Sequence, residues 1–387
     1  MGAPARPDGS AAVAWRGVAI DRAMLGAVGL AVAGVLLVVV AAPIFLRGAG
    51  WAYDFTTYFV AAMRTRDGLS PYLPVNLAGP FTQGPQWYVY APVLSTLLIP
   101  LTALGLQAAS LVWMGLTFLF TALACALLPA RPAVRLAALG TTLLSLGFLT
   151  NLNLGSVNAL LLCALVLAWR RPAGPASGLA LALSLSVRPY LATVLVGRAL
   201  WRRWPAIAWV ALGGLFLIAA TALIAGPRSL VDFVRLLGNV RFGGAPHNGA
   251  LVGVLEAMGI PDPLLLGAAV AAIVVALGAI ILARRVGDED VTFAVAVGAS
   301  ILASPVIWDH YLMLLVIPAA LLAQRGRTWG LALPLLAWLP WQLYPLVALA
   351  GTFAPFAAQG RSPAEIGASA ADQPSGQASQ PDGLTAE

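Results

Sequence analysis

The stretch AMLGAVGLAVAGVLLVVVAAPIFL, residues 23–46, carries no charged side chain. A helix needs about 20 predominantly apolar residues to cross the hydrocarbon core of a bilayer, and this run is long enough. It is too long for the core of a signal peptide, and no convincing small-residue cleavage pattern follows, so it reads as a retained first span. Residues 1–22 before it are polar and carry Arg6, Arg16 and Arg22, which places the N-terminus in the cytoplasm under the positive-inside rule.

The rest of the chain has the same character. Of 387 residues, 60% are hydrophobic and 10% are charged, with a mean hydropathy of +0.88. Soluble domains carry about 25% charged residues. The composition therefore excludes a soluble enzyme, a disordered chain and a disulfide scaffold. Cys125 and Cys163 both lie in apolar runs and read as small buried hydrophobes. The net charge is +7, and all 22 basic residues are arginine. That balance fits cytoplasmic loops, and no nucleic-acid partner is expected.

Further apolar segments lie near 91–105, 107–128, 134–150, 155–169, 174–187, 190–201, 204–226, 263–283, 291–306, 310–323 and 328–350. The expected fold is an all-α polytopic membrane bundle of about 10–13 transmembrane helices. Its membrane domain spans 23–357, with long outer loops at 47–90 and 227–262, and the Ala-, Ser-, Gln-, Gly- and Pro-rich tail 358–387 reads as disordered. Five arginine groups punctuate the spans: Arg131/Arg135, Arg170/Arg171, Arg202/Arg203, Arg284/Arg285 and Arg325/Arg327. If all five are cytoplasmic, 91–128 crosses an odd number of times and 174–201 is a pair of short helices. Two plain spans in 91–128 and one in 174–201 would instead put two groups outside. Both arrangements keep the two long loops on one side.

Acidic residues near the spans are few, and Asp54, Asp67, Asp232, Glu256, Asp262 and Asp309 fall on or beside the expected outer face. Ionisable groups near membrane depth are costly and commonly functional. Asp54 stands among aromatics in WAYDFTTYF, on an amphipathic stretch, 54–63, that suits a short interfacial helix. Its carboxylate suits a general base acting on a hydroxyl, and equally a helix N-cap. In SPVIWDHY, residues 304–311, His310 suits a phosphate or hydroxyl, while the cluster as a whole also fits an interfacial aromatic belt. Arg188 interrupts the apolar run SLSVRPYL, where a guanidinium suits bidentate phosphate binding or a structural ion pair. NLNLGSVN, residues 151–158, is a polar break read as a loop that contacts a ligand or satisfies helix ends. RFGGAPHNG, 241–249, is glycine-rich but is not a phosphate-binding loop motif. With two histidines and no CxxC, a histidine-based metal site is not expected.

Together these clusters resemble glycosyltransferase family 87 of the GT-C superfamily, over roughly residues 50–325. The resemblance rests on Asp54-Phe55, Tyr58, Ala61, Gly68 and Pro71-Tyr72, on Tyr90-Ala91-Pro92, on Gly155 and Asn158, and on Ser304-Pro305 with Trp308 and His310. Ser156 replaces the family's glutamine and Arg188 its usual lysine. The resemblance implies inverting transfer of a sugar, commonly mannose, from a polyprenyl-phosphate carrier to a lipid or glycan hydroxyl at the extracytoplasmic face of a bacterial plasma membrane. It implies Asp54 as general base, with Arg188 and His310, and less directly Arg64 and Arg241, around the donor phosphate. Tyr58, Trp87, Tyr88, Tyr90, Asn158 and Trp308 are candidates for sugar or acceptor contacts. No cofactor is expected; some superfamily members use a divalent metal, but no carboxylate cluster here demands one. The competing reading is a transporter or flippase of a lipid-linked or anionic substrate, which predicts ionisable residues at the bilayer midplane.

Overall fold

The computed structural model describes residues 22–48, 50–79, 88–239, 245 and 247–358. The expected N-terminal cytoplasmic segment up to residue 21 and the expected tail from 359 lie outside these residues. The described chain is helical throughout and contains no strand. Its helices are α1 Arg22–Arg47, α2 Tyr53–Arg66, α3 Pro74–Ala78, α4 Pro92–Leu98, α5 Leu106–Leu127, α6 Pro132–Leu144, α7 Leu146–Leu154, α8 Asn158–Arg170 and α9 Pro175–Val187. They continue as α10 Ala192–Leu200, α11 Trp204–Ile224, α12 Pro227–Asn239, α13 Leu251–Ala257, α14 Asp262–Val286, α15 Glu289–Leu302, α16 Val316–Gln324 and α17 Tyr344–Phe353. Short 3-10 turns join them, notably Pro189–Leu191, Asp309–Leu315 and Thr328–Trp338.

Four helices, α1, α5, α11 and α14, are long and apolar enough to cross a membrane singly; α6 and α7 together make a fifth, bent by 63°. Large apolar side chains stand exposed along all four, including Val40 at 66%, Leu119 at 55%, Leu223 at 86% and Val274 at 62%. Surfaces of that kind belong in lipid. The chain is an all-α multi-pass membrane protein. The remaining apolar segments fold as helices of 10–17 residues, shorter than a full crossing. Their breaks have local causes. Ser145 ends α6 in an extended conformation and its Oγ accepts the Phe148 N–H to cap α7. Arg188 and Pro189 end α9, since the residue before a proline is pushed out of the helical region.

The five arginine groups gather at one end of the bundle. The Arg170 guanidinium donates to the Leu127 carbonyl, Arg284 to Leu200, and Arg325 pairs with Asp288. Glu289 holds Arg198 at 2.6 Å and Arg203 at 2.5 Å. This is the arrangement that makes 174–201 a pair of short helices, α9 and α10.

α1 runs beside α6 in very close approach: a Cβ on Gly140 would stand 2.5 Å from the Leu30 carbonyl carbon, so only glycine fits there. The segments 47–90 and 227–262, expected as loops, hold α2 and α3, and α12 and α13. α2 is not a surface helix. Phe55, Thr57, Tyr58, Phe59, Ala61, Ala62 and Thr65 are all buried, because its aromatic faces pack into the bundle. α8, α9 and α15 have 13, 13 and 14 residues against 26 for α1 and 25 for α14. At about 1.5 Å per residue they stop roughly 20 Å from the arginine end. The notch above them is filled by α2, α7 and the 303–311 turn, and it brings Asp54, Asp309 and His310 to one cavity.

Candidate functional site

Three chain breaks deliver the site: Ala52, Gly155 and the Arg188–Pro189 step that ends α9. Ala52, at φ 54°, turns the chain from α1 into α2, and its N–H donates to the Asn153 carbonyl at 2.8 Å. A non-glycine residue there costs on the order of 1 kcal/mol, and the cost is spent immediately before Asp54. Gly155 caps α7 at φ 69°; a Cβ on it would meet Phe55 Cβ at 2.7 Å. Its carbonyl accepts from Trp113 Nε1 at 2.7 Å, and Trp113 stacks on Phe55 at 5.5 Å. α2 is thus pinned at its first turn. Asp54 lies in that turn but caps nothing; the N-cap residue is Ala52, with no side-chain cap. The N-cap reading of Asp54 is therefore set aside.

Asp54 opens onto a cavity of about 480 Å³. Arg188, His310, Tyr58, Tyr90, Trp308 and Asp309 line the same cavity. Leu146, Leu154, Leu339, Trp341 and Tyr344 form an apolar flank. Asp54 is partly exposed because it borders this space, yet protein surrounds it on all sides. Burial pushes its carboxyl above the ordinary carboxylate value; His310, Arg188 and the Ser156 hydroxyl, which donates to it, pull the other way.

Arg188 is 8% exposed and sits between two tyrosines. Its Nη2 donates to Tyr90 OH at 3.0 Å and its Nη1 to Tyr311 OH. Its guanidinium lies 4.9 Å from the Tyr90 ring centre and 4.3 Å from that of Tyr311. Among the described residues it makes no ion pair, and its Nε has no partner. Its bonded partners are neutral oxygens and ring faces, and Asp54, the carboxylate it acts on across the cavity, lies outside ion-pair distance, so its desolvation is only partly offset. Tyr58 OH donates to Tyr90 OH at 3.0 Å. The Tyr90 oxygen therefore accepts from both Tyr58 and Arg188, which leaves its own proton free for the cavity.

His310 is buried, stacked beside Trp308 at 5.9 Å, with both ring nitrogens unbonded. Its Nδ1 lies 3.4 Å from Asp309 Oδ1, within ion-pair reach but outside hydrogen-bonding geometry. Asp309 is itself held by Thr150 Oγ1 at 2.7 Å and the His310 N–H at 2.9 Å. The cavity thus brings the Arg188 Nε and both His310 ring nitrogens, none of them hydrogen-bonded, together with two carboxylates, Asp54 and Asp309. Among the described residues, no group of three His, Cys, Asp or Glu is placed to hold a metal ion.

The other sequence candidates lie elsewhere. Tyr88 OH donates to the Ala91 carbonyl and accepts the Ser95 N–H, so it braces the start of α4 rather than lining the cavity. Asn158 is fully buried and donates to Asn151 Oδ1 and Ser156 Oγ, which sets the Ser156 hydroxyl against Asp54. Asn151 and Asn153 belong to the end of α7, so the 151–158 loop is shorter than expected. Arg64 lies at the far end of α2, about 15 Å along the helix from Asp54, and lines a separate cavity with Arg228 and Arg235. Trp87 and Arg241 lie outside the described residues. Tyr311, Tyr344 and Trp341 contribute to the site without having been singled out for it. Their signal was weak: aromatic residues at helix ends are common throughout membrane proteins.

The family model for glycosyltransferase family 87 matches residues 88–305, more than half the chain. The chain belongs to glycosyltransferase family 87. It is therefore a membrane glycosyltransferase, an enzyme that takes a sugar donor and an acceptor. The family match covers Tyr90, Ser156, Asn158 and Arg188 directly and ends at Pro305; Asp54 and His310 join them through the fold. No curated protein and no solved structure matches the chain.

Proposed function

We propose that this glycosyltransferase moves a sugar, mannose by resemblance, from a polyprenyl-phosphate carrier to a hydroxyl of a lipid or glycan acceptor. The observation that carries the reading is Arg188, a buried guanidinium that makes no ion pair among the described residues, on the wall of the cavity that Asp54 borders. A phosphate monoanion or dianion is the ligand that such a cation lacks. The carrier's isoprenoid chain would lie along the apolar flank of Leu146, Leu154, Leu339 and Trp341.

In this reading Asp54 takes the acceptor proton as the hydroxyl oxygen attacks the anomeric carbon. The bond from that carbon to the phosphate oxygen breaks on the opposite face, and its electron pair leaves with the polyprenyl phosphate. The anomeric configuration inverts. Arg188 and the free Tyr90 proton meet the charge that grows on the departing oxygen, an electrostatic contribution largest in a dry site. His310, beside Asp309, donates a ring N–H to the same phosphate. Tyr58 and Trp308 border the sugar. The arginine end faces the cytoplasm by the positive-inside rule, which puts the cavity toward the outer face of a bacterial plasma membrane.

The test is donor identity. Purified protein in vesicles receives labelled polyprenyl-phosphate mannose in one arm and labelled nucleotide-mannose in the other. The reading expects label in an acceptor only from the lipid donor. Transfer from the nucleotide sugar alone would overturn it, and transfer only from a lipid-linked pentose or other hexose would correct the sugar while keeping the carrier.

A further inference from the structure

We propose that the second cavity, between the far end of α2 and α12, binds the phosphate headgroup of an anionic membrane lipid. This site is separate from the reaction cavity and does not depend on the donor assignment. It encloses about 460 Å³.

The position of α12 makes the case. α11, an apolar 21-residue span, ends at Ile224, and α12 begins at Pro227. α12 therefore starts at a membrane boundary. Val231, Val234 and Leu237 on it are 60%, 70% and 49% exposed, a lipid-facing stripe of the kind that holds an amphipathic helix in the interface. Arg228, Asp232 and Arg235 recur at spacings of four and three residues, share another face, and line the cavity. On the remaining side α12 is tied to the bundle by Phe233, stacked on Tyr72 at 6.2 Å, and by Asn239, which donates to the Asn76 carbonyl. The basic face is thus held at headgroup depth.

The chemistry of the lining calls for an anion with hydroxyl groups. Arg228 and Arg235 flank Asp232 yet make no ion pair with it among the described residues. Arg64 donates from Nε to the Ser70 carbonyl and from Nη2 to that of Tyr72, so its charge is fixed at the cavity wall. Asp232 is 3% exposed, and the Ser70 hydroxyl is buried without a partner. Three guanidiniums against one carboxylate leave an excess of two positive charges. A phosphate ester meets the arginines, and Asp232 and Ser70 are left for the hydroxyls of its headgroup. A soluble phosphate could meet the same arginines, but the lipid-facing stripe on the same helix favours a lipid.

Native mass spectrometry of the full-length protein in detergent tests this, using phosphatidylglycerol and phosphatidylcholine with identical chains. Wild type is expected to retain phosphatidylglycerol in preference to phosphatidylcholine. Each basic residue near an anionic lipid surface contributes about fivefold, so Arg228→Gln with Arg235→Gln should weaken phosphatidylglycerol retention roughly 25-fold. Asp232→Asn should strengthen it, and this opposite sign keeps the test alive if the double variant misfolds. Equal retention of the two lipids by wild type would overturn the proposal. So would unchanged retention in a well-folded double variant, or inorganic phosphate binding as tightly as the lipid.

Discussion

Replacing Arg188 by methionine should separate function from stability. Arg188 makes two hydrogen bonds to neutral phenol oxygens, each worth about 1 kcal/mol net. Its two ring contacts add about 2 kcal/mol when desolvated. Against these stands the cost of burying an unpaired cation, several kcal/mol even after relaxation. The balance is near zero, so Arg188→Met should melt within a few degrees of wild type, or higher. Methionine fills much of the same volume, and the Tyr90 and Tyr311 hydroxyls remain able to donate elsewhere. Catalysis should respond quite differently. Losing the only cation bonded to the Tyr90 hydroxyl at the leaving-group position should lower kcat by about 10²–10³, the range seen when one preorganised donor is removed. Arg188→Lys should recover part of the loss, since it restores the charge but not the fork that reaches both tyrosines. The assay is turnover of labelled lipid-linked sugar in vesicles, beside a thermal melt of the same preparation. If the melting temperature and turnover fall together in Arg188→Met, Arg188 is a structural residue and the reasoning fails. Turnover within tenfold of wild type would also refute it.

Four further outcomes follow from the same geometry. Burial raises the Asp54 pKa and the base acts when ionised, so kcat/KM should fall as pH drops through a value above the usual carboxylate range; an acid limb at or below pH 4 would contradict this. The same raised pKa means that charged Asp54 costs stability above it, so Asp54→Asn should melt at or above wild type at pH 7–8, with the gap closing toward acid pH. Tyr90→Phe removes the free proton and the Arg188 acceptor, whereas Tyr58→Phe removes neither; turnover should fall at least tenfold more in the first, and equal losses would reduce the tyrosines to packing. Gly155→Ala forces an L-residue to φ 69° and a contact of 2.7 Å with Phe55 Cβ, which should cost about 2–4 kcal/mol and depress turnover by displacing α2; a melt unchanged from wild type would show that the joint between α7 and α2 is not rigid.

The spans were legible because a bilayer sets a length that no soluble core requires, and residues 23–46 meet it without a charge. The short helices were less so. Ser145 and Arg188 break runs that look continuous in hydropathy, since a cap or an X-Pro step changes the backbone without changing the apolar character. Asp54, Arg188 and His310 stood out as isolated ionisable residues, but their assembly spans 256 positions and arises only when α2 and the 303–311 turn fill the notch above the short helices. Arg64 was close to Asp54 in sequence, and the rigid rise of α2 carried it to another cavity. Ser156, the departure from the family's glutamine, turns out to face Asp54, a role that no local pattern announces.

The central claim is that Asp54 is the base of a carrier-dependent transfer. The direct measurement is label transfer from polyprenyl-phosphate mannose in membranes holding wild type or Asp54→Asn at matched levels. The account predicts activity in wild type and a loss of about 10²–10⁴ in the variant, the usual contribution of a general base. Full activity in a well-folded Asp54→Asn would contradict it and move the search for the base to Asp309, the other carboxylate on the cavity wall.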